Sequence, residues 1–302
     1  MTSTKDDKSI PWHEYNVHTT HNNTNNHQEE EEEPISLFTS NIPNYSNVTY
    51  KEFITLRVEE DYDKSTGVLI WNGSEVLLEY LWNYNDPNSN YDPNNNNSNH
   101  LIKNKRVLEL GAGVGLCGVA CATEKLGAAE VMVTDGDCAV LENLRYNVEL
   151  NSKSGGAGVI SSKCRVQCRQ LIWGKEYAER LEQERKEERE EEWRDCDGDG
   201  GDMDDCKFDV IMAADCIYIA QNVRPMLETV SYLLSDKPGS KFLFVNTCAS
   251  TCSKEDIFRI AEDEFGLCHS MGDEVYHDEE LKYRVDDTVH VLYKSRKEEE
   301  GI

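Results

Sequence analysis

The sequence predicts an α/β fold built on a parallel sheet with crossover helices on both faces. From Arg106 onward, apolar strand-like segments alternate with segments of helical periodicity. The first of these strands runs directly into a glycine-rich turn, and the acidic residue Asp135 ends the strand that follows. Strands that alternate with helices are typical of parallel sheets, because a crossover connection is needed between parallel neighbours.

Each element of this fold has its own signature in the sequence. Ahead of the sheet, residues 50–61 alternate apolar and polar side chains and, together with residues 68–71, predict a hairpin. The segment SEVLLEYLW then has helical spacing, with Ser74 as the expected N-cap. The strands of the sheet are predicted in RVLEL, EVMVTD, KCRVQCRQLIW, FDVIMAAD, KFLFVNT and TVHVLYK, and helices are predicted to begin near Leu116, Ala139, Val223 and Lys254.

The chain is predicted to hold one folded domain over residues 48–297. Residues 1–47 are rich in Asn, Thr, His and Glu and contain few apolar side chains, so we expect a disordered tail there. Two insertions are predicted within the domain. One is a low-complexity loop of turn-forming residues at 83–100, and the other is a strongly charged segment at 175–206, predicted as a charged helix that runs into an acidic loop.

The charge balance and the distribution of apolar residues argue against several classes of protein. The chain has 31 Lys and Arg residues against 58 Asp and Glu residues, and the resulting net charge of −27 repels a phosphate backbone. It contains no run of about 18 apolar residues, and its first residues lack the layout of a secretory signal. We therefore expect no nucleic-acid or membrane partner and a cytoplasmic or nuclear location.

The cysteines and the acidic clusters do not predict a metal site. The 11 cysteines include pairs four residues apart, but none forms the CxxC motif of paired zinc sites. Residues 195–200 match the start of a calcium-binding loop, but its twelfth position, which should be Glu, is Cys206. We expect reduced, mostly buried thiols and no metal cofactor.

The glycine-rich turn and the acid after it form the pattern with the clearest chemical meaning. Gly111 and Gly113 follow the strand RVLEL, where a βα turn brings the backbone close to a ligand. Asp135 ends the next strand, from which a carboxylate can accept hydrogen bonds from ribose hydroxyls. Either feature alone is as well explained by a tight turn or a helix cap. Together they predict a nucleoside site.

A dinucleotide is the main alternative ligand for this site. Gly113, Gly115 and Gly118 also satisfy the GxGxxG spacing, with Asp135 about 20 residues beyond them. However, the dinucleotide motif begins with the glycine directly after the strand, which is Gly111 in this chain. When the motif is counted from Gly111, its third glycine position is occupied by Leu116. Glu109, just inside the strand end, would repel a pyrophosphate and could face a positively charged sulfonium.

The succession of motifs resembles the class I, seven-β-strand methyltransferases, and more narrowly the methyltransferase-like protein-lysine methyltransferases of eukaryotes. The motifs are TGVLIW at 66–71, LELGAGVGL at 108–116, VTD at 133–135, NLRYNVELN at 143–151, LIWG at 171–174 and ADCIY at 214–218. The resemblance covers roughly residues 64–294. It implies a Rossmann-like sheet of seven strands, mostly parallel with an antiparallel last strand, preceded by a hairpin and a helix.

The resemblance also implies roles for single residues. With Glu109 already proposed from its position, the residues implied to bind S-adenosylmethionine are Trp71, Gly111, Ala112, Gly113, Asp135, Trp173 and Ala214. Asp135 is expected on the ribose and Trp173 beside the adenine. Asp215 and Tyr218 are expected beside the transferred methyl group, where an acid can orient the acceptor amine and an aromatic ring can face a cation. One position departs from the family, which often has proline where this chain has Asn72.

The predicted function is therefore methylation of lysine in another protein, with S-adenosylmethionine as the cofactor and a basic, lysine-bearing surface on the partner. A small-molecule amine or a protein histidine is the alternative acceptor, because the motif around Asp215 and Tyr218 does not define it. A non-catalytic interaction module on the same fold is the alternative of another class. The tryptophans and Tyr218 could then be ordinary packing aromatics.

Overall fold

The computed structural model describes residues 45–51, 53–59, 66–84, 101–152, 158–194, 206–247, 250–270 and 288–295. The predicted tail up to residue 44, the predicted loop from residue 85 to residue 100 and the acidic stretch 195–205 lie outside these ranges. Within the described ranges, no helix is both long and apolar enough to cross a membrane.

A seven-stranded sheet forms the centre of the fold and confirms the predicted fold class. Its strands are β3 (Arg106–Leu110), β4 (Glu130–Asp135), β5 (Arg165–Gln170), β6 (Val210–Ala214), β7 (Lys241–Val245), β8 (Leu267–His269) and β9 (His290–Lys294). They lie in the order β5-β4-β3-β6-β7-β9-β8, and the pairs among β3 to β7 are parallel. The last strand, β9, runs antiparallel to both of its neighbours, as expected. Strand β8 was not among the predicted strands, because three residues are too short to show an alternating pattern.

Among the described residues, six α-helices accompany the sheet. They are α1 (Asn72–Tyr84), α2 (Leu116–Cys121), α3 (Cys138–Ser152), α4 (Lys175–Arg194), α5 (Val223–Leu233) and α6 (Lys254–Phe265). The predicted starts of α2, α5 and α6 are confirmed, and α3 begins one residue earlier than predicted. Helix α1 begins at Asn72, so the expectation that Ser74 is its N-cap was wrong, and the helix extends two residues into the predicted 83–100 loop.

The sheet separates two apolar clusters. Alternation along β3 sends Val107 to the cluster that contains α1, α2 and α3, and sends Leu108 and Leu110 to the cluster that contains α4, α5 and α6. Both faces of the central strands are therefore covered by helices. This burial explains why β3, β4 and β6 are almost continuously apolar in sequence.

The N-terminal hairpin exists, but it is not the one that the sequence predicted. Strands β1 (Tyr45–Tyr50) and β2 (Ile54–Glu59) pair antiparallel. The chain turns between them near Lys51, whose φ of 50° lies in the left-handed region. Residues 50–61 are therefore not one strand, and residues 66–68 form a 3-10 turn instead of leading into a second strand. The alternating pattern could not reveal a turn that is not marked by glycine or proline.

Helix α4 lies within the segment predicted as a charged insertion, but it connects β5 to β6 and packs on the sheet. Ala178 and Leu181 are buried in the cluster with α5 and α6. The side chain of Arg185 is 2% exposed and its Nη1 lies 2.6 Å from Oε1 of Glu130 on β4. A highly charged sequence is therefore held in the core layer, because its apolar stripe and one buried ion pair face inward.

Candidate functional site

The candidate site lies where the strand order changes direction. From β3 the chain continues to β4 and β5 on one side of the sheet and later to β6 and β7 on the other side. The loops that follow β3 and β6 therefore separate and leave a crevice at the carboxyl ends of these strands. The glycine loop after β3 and Asp215 after β6 both lie at this point.

The glycine loop has a backbone conformation that residues with a side chain rarely adopt. Gly111, Gly113 and Gly115 have φ values of 59°, 56° and 87°, all in the left-handed region. A Cβ on Gly111 would lie 2.7 Å from Sγ of Cys216, and one on Gly113 would lie 2.9 Å from the carbonyl oxygen of Gly67. The loop is thus closely packed from behind, and its glycines are required by both conformation and space.

Asp135 is joined directly to this loop. Its Oδ2 accepts a hydrogen bond from the N–H of Gly113 at 3.1 Å, and its Oδ1 accepts one from the N–H of Asp137 at 3.0 Å. Burial raises the pKa of Asp135 above its usual value, although these two hydrogen bonds act against that rise. The sequence prediction that the loop and this acid form one site agrees with this contact. Ala112, between the two glycines, is held by a backbone bond from its N–H to the oxygen of Thr134 at 2.8 Å.

Glu109 lies behind the loop, with only 3% of the residue exposed. Its Oε2 accepts a hydrogen bond from the N–H of Gly118 in α2 at 2.8 Å. Burial raises the pKa of its carboxyl group to about 8; the Gly118 bond opposes this, and the charge of Asp135 adds to it. The carboxyl group therefore supports the packing of α2 on β3. Its predicted contact with the methionine half of a cofactor stays a prediction.

The three predicted aromatic residues differ in their surroundings. Trp173 lies three residues beyond the end of β5 and is half-buried. A Cβ placed on Gly111 would lie 3.4 Å from Cζ2 of Trp173. Trp71, just before α1, is 40% exposed, and Tyr218, beyond β6, is 48% exposed. The structure thus brings Trp173 to the glycine loop and leaves the other two rings open to solvent. Ala214, half-buried, ends β6 beside them.

Asp215 is buried and already has several hydrogen-bond partners. It has a φ of 51° and is 8% exposed. Its carboxylate accepts hydrogen bonds from the N–H of Gly73 at 2.7 Å and from the N–H and the hydroxyl group of Thr247 at 2.5 and 2.8 Å. Asp215 therefore ties the first turn of α1 to the ends of β6 and β7. This contact holds Trp71, which directly precedes α1, at the same end of the sheet.

Sequence reasoning missed Gly73, Thr247 and Cys216 as parts of the site. A Cβ on Gly73 would lie 2.7 Å from Cγ of Asp215, so this glycine permits the close approach of α1. Cys216 is buried under the glycine loop, and its thiol contacts the oxygens of Leu110 and Ala214 at 3.1 and 3.2 Å. No sequence signal marks a residue whose only task is to contact another segment far along the chain.

A metal centre does not emerge from the part of the chain that the structure describes, since no group of three or more His, Cys, Asp or Glu side chains there could hold an ion. The calcium-like stretch 195–200 is not among the described residues.

Comparisons with known proteins identify the family of this chain. Residues 50–188 match the lysine methyltransferase family. The protein N-lysine methyltransferase METTL21A of Xenopus tropicalis is 30% identical over 64% of this chain and 67% of its own length. The protein N-terminal and lysine N-methyltransferase EFM7 of Yarrowia lipolytica is 26% identical over 67% of this chain and 65% of its own length. The chain thus spans slightly less than two thirds of that relative.

The solved structure of SMU.776, which is assigned as a methyltransferase and complexed with SAH, has the same fold. Its TM-score is 0.52 at 14% identity, and the match covers 85% of this chain and 57% of that one. This likeness concerns the fold, whereas the sequence matches concern the family. The chain belongs to the lysine methyltransferase family.

Proposed function

We propose that this protein transfers methyl groups from S-adenosylmethionine to lysine side chains of another protein. The observation that carries the proposal is the contact between the glycine loop and Asp135, with 3.1 Å between the N–H of Gly113 and the carboxylate, at the crevice of a methyltransferase-like sheet. Membership in the lysine methyltransferase family supports it.

The residues at the crevice fit this cofactor. Glycines at 111 and 113 permit the left-handed backbone of the loop and its close packing against Cys216 and Gly67, which holds the loop backbone at the crevice. The half-buried carboxylate of Asp135 can accept hydrogen bonds from ribose hydroxyls, and Trp173 offers an aromatic face beside the loop. When bound, S-adenosylmethionine supplies a methyl group activated by its sulfonium.

The protein's remaining task is to hold an unprotonated amine in line with that methyl group. Tyr218 is the exposed aromatic residue beyond β6, and its π face can stabilise the positive charge that develops on the amine. Asp215 keeps α1 and the ends of β6 and β7 together through its bonds to Gly73 and Thr247. In this proposal Tyr218 contacts the acceptor, and Asp215 adds negative charge nearby while it positions Trp71.

A protein acceptor is supported by the names of the relatives, which describe methylation of lysine in proteins. The net charge of −27 favours a partner with a basic surface around the lysine. The α-amino group of a protein N-terminus is a second candidate acceptor, because the Yarrowia relative is named for both N-terminal and lysine methylation. Both acceptors are primary amines, so the same site can serve either.

Calorimetric titration with S-adenosylmethionine tests the cofactor. We expect Asp135→Ala to weaken binding at least about ten-fold, since it removes a charged hydrogen-bond acceptor worth about 1.5 to 3 kcal/mol. The matched control is Asp137→Ala, which removes an exposed carboxylate two residues away and should change affinity less than about two-fold. Absence of binding to the wild-type protein would exclude enzymatic methyl transfer and favour a non-catalytic module.

Labelling identifies the acceptor. The protein and methyl-labelled cofactor are incubated with a cell extract, and mass spectrometry locates the modified residues. Label on protein lysines is expected, and it should fall at least about ten-fold with Tyr218→Ala while cofactor affinity is kept. Label only on small molecules, RNA or histidine would contradict the proposal, and label on N-termini would select the second candidate.

A further inference from the structure

Three buried asparagines lie along one face of α3 at a spacing of four residues. Asn143, Asn147 and Asn151 are 4%, 0% and 1% exposed. A spacing of four residues places side chains above one another on a helix, so these amides form a row. Buried amides need hydrogen-bond partners, and most partners of these three side chains lie in segments outside α3.

The row completes the backbone hydrogen bonding of strand β2. Asn151 accepts from the N–H of Thr55 at 3.1 Å and donates to its oxygen at 2.6 Å. Asn147 makes the same pair of bonds to Arg57, at 2.7 Å and 3.1 Å. Asn143 donates to the same Arg57 oxygen at 3.0 Å and accepts from its side chain at 2.7 Å. The edge of β2 that does not face β1 is thus paired with side chains instead of another strand.

Asn147 differs from Asn151 in its remaining bond. Its Nδ2 also donates to the carbonyl oxygen of Val114 at 3.0 Å, whereas Nδ2 of Asn151 donates to the oxygen of Asn147 within the same helix. Val114 lies between Gly113 and Gly115 in the glycine loop. Of these two amides, then, only that of Asn147 binds both the hairpin and the loop.

We infer that Asn147 is a positioning residue that couples the N-terminal hairpin to the glycine loop and thereby sets the affinity for the cofactor. The loop contains three glycines in left-handed conformations, and its backbone is held by side chains of other elements, among them Asp135 at Gly113 and Asn147 at Val114. A buried carbonyl that loses its hydrogen-bond donor is unfavourable, and this would favour other conformations of the loop. The inference rests on the proposed function, because it assumes that the loop binds S-adenosylmethionine.

The test compares Asn147→Ala with Asn151→Ala. Both variants lose two bonds to the backbone of β2, but only the first loses the bond to the glycine loop. We expect the Kd for S-adenosylmethionine to rise about ten-fold in Asn147→Ala and less than about two-fold in Asn151→Ala. With an acceptor peptide, KM for the cofactor should rise in Asn147→Ala while kcat at saturating cofactor stays within about two-fold. Equal affinities in the two variants would overturn the inference.

Hydrogen exchange on the wild-type protein gives a second test that needs no variant. Coupling between two sites is reciprocal, so cofactor binding at the loop should stabilise the hairpin. Added S-adenosylhomocysteine should slow exchange of the Arg57 amide at least about five-fold more than exchange of the Ile257 amide in α6. Equal slowing at both positions would contradict the coupling. If the wild-type protein does not bind the ligand, the proposed function fails, whereas binding without these differences leaves that function intact and removes only the role of Asn147.

Discussion

Substitution of Glu109 by Gln should make the stability of the protein less dependent on pH. The carboxyl group is buried against α2, and burial raises its pKa from the usual 4.5 to about 8. Because the folded pKa is above the unfolded one, the folded state binds more protons between these values. The stability that this group contributes is therefore fully present below pH 4.5 and is lost as the pH rises through about 8.

The size of the effect follows from these two values. At about 1.4 kcal/mol per pKa unit, integration of the proton-binding difference from pH 5 to pH 8 gives a loss of about 3 to 4 kcal/mol for the wild-type protein. In Glu109→Gln the amide keeps an oxygen for the N–H of Gly118 but cannot ionise. The free energy of unfolding of the variant, relative to that of the wild type, should therefore rise by this amount between pH 5 and pH 8.

Urea unfolding followed by tryptophan fluorescence at pH 5, 6, 7 and 8 measures the difference. Other titrating groups cancel when the free energy of unfolding of the variant is compared with that of the wild type at each pH. The control is Glu255→Gln on α6, whose side chain is exposed and should leave the dependence unchanged. Parallel curves for the wild type and Glu109→Gln would refute the reasoning.

Three further substitutions test other parts of the fold and the site. In Gly111→Ala the alanine would have to adopt a left-handed backbone, and its Cβ would lie 2.7 Å from a buried sulfur. Cofactor affinity measured by calorimetry should therefore fall more than about ten-fold, and an unchanged Kd would contradict the described loop. Arg185→Ala leaves Glu130 without its main partner and should lower the free energy of unfolding by about 3 to 5 kcal/mol, measured with urea. Thr247→Val removes the hydroxyl bond to Asp215 and should reduce stability by about 1.5 to 3 kcal/mol, whereas a thermal midpoint equal to that of the wild type would speak against it.

Local patterns were sufficient for the central elements of the fold. The strands around Val107 and Val131 are apolar because both of their faces are buried, and this pattern can be read directly from the sequence. Patterns failed where the structure depends on a single backbone conformation. The turn near Lys51 is one case, since a left-handed lysine has no distinctive signature in sequence.

The charged helix α4 shows a different limit. Its sequence, KEYAERLEQERKEEREEEWR, was interpreted as part of an insertion because charged residues dominate it. Its inward stripe is narrow, and Arg185 is tolerated there because Glu130 of a distant strand lies 2.6 Å away and the oxygen of Cys206 accepts a further hydrogen bond. A pairing between residues 55 positions apart cannot be derived from either segment alone.

The sequence by itself determined the parallel strands from β3 to β7, the position of the glycine loop and the acid at Asp135, because these depend on local composition and spacing. Only the tertiary structure shows the hydrogen-bond partners of Asp215 and Asn147. Their carboxylate and amide groups are engaged by Gly73, Thr247 and Val114, which come from other elements. Such hydrogen bonds form only when the folded chain brings these segments together, and burial then makes each bond too costly to leave unmade.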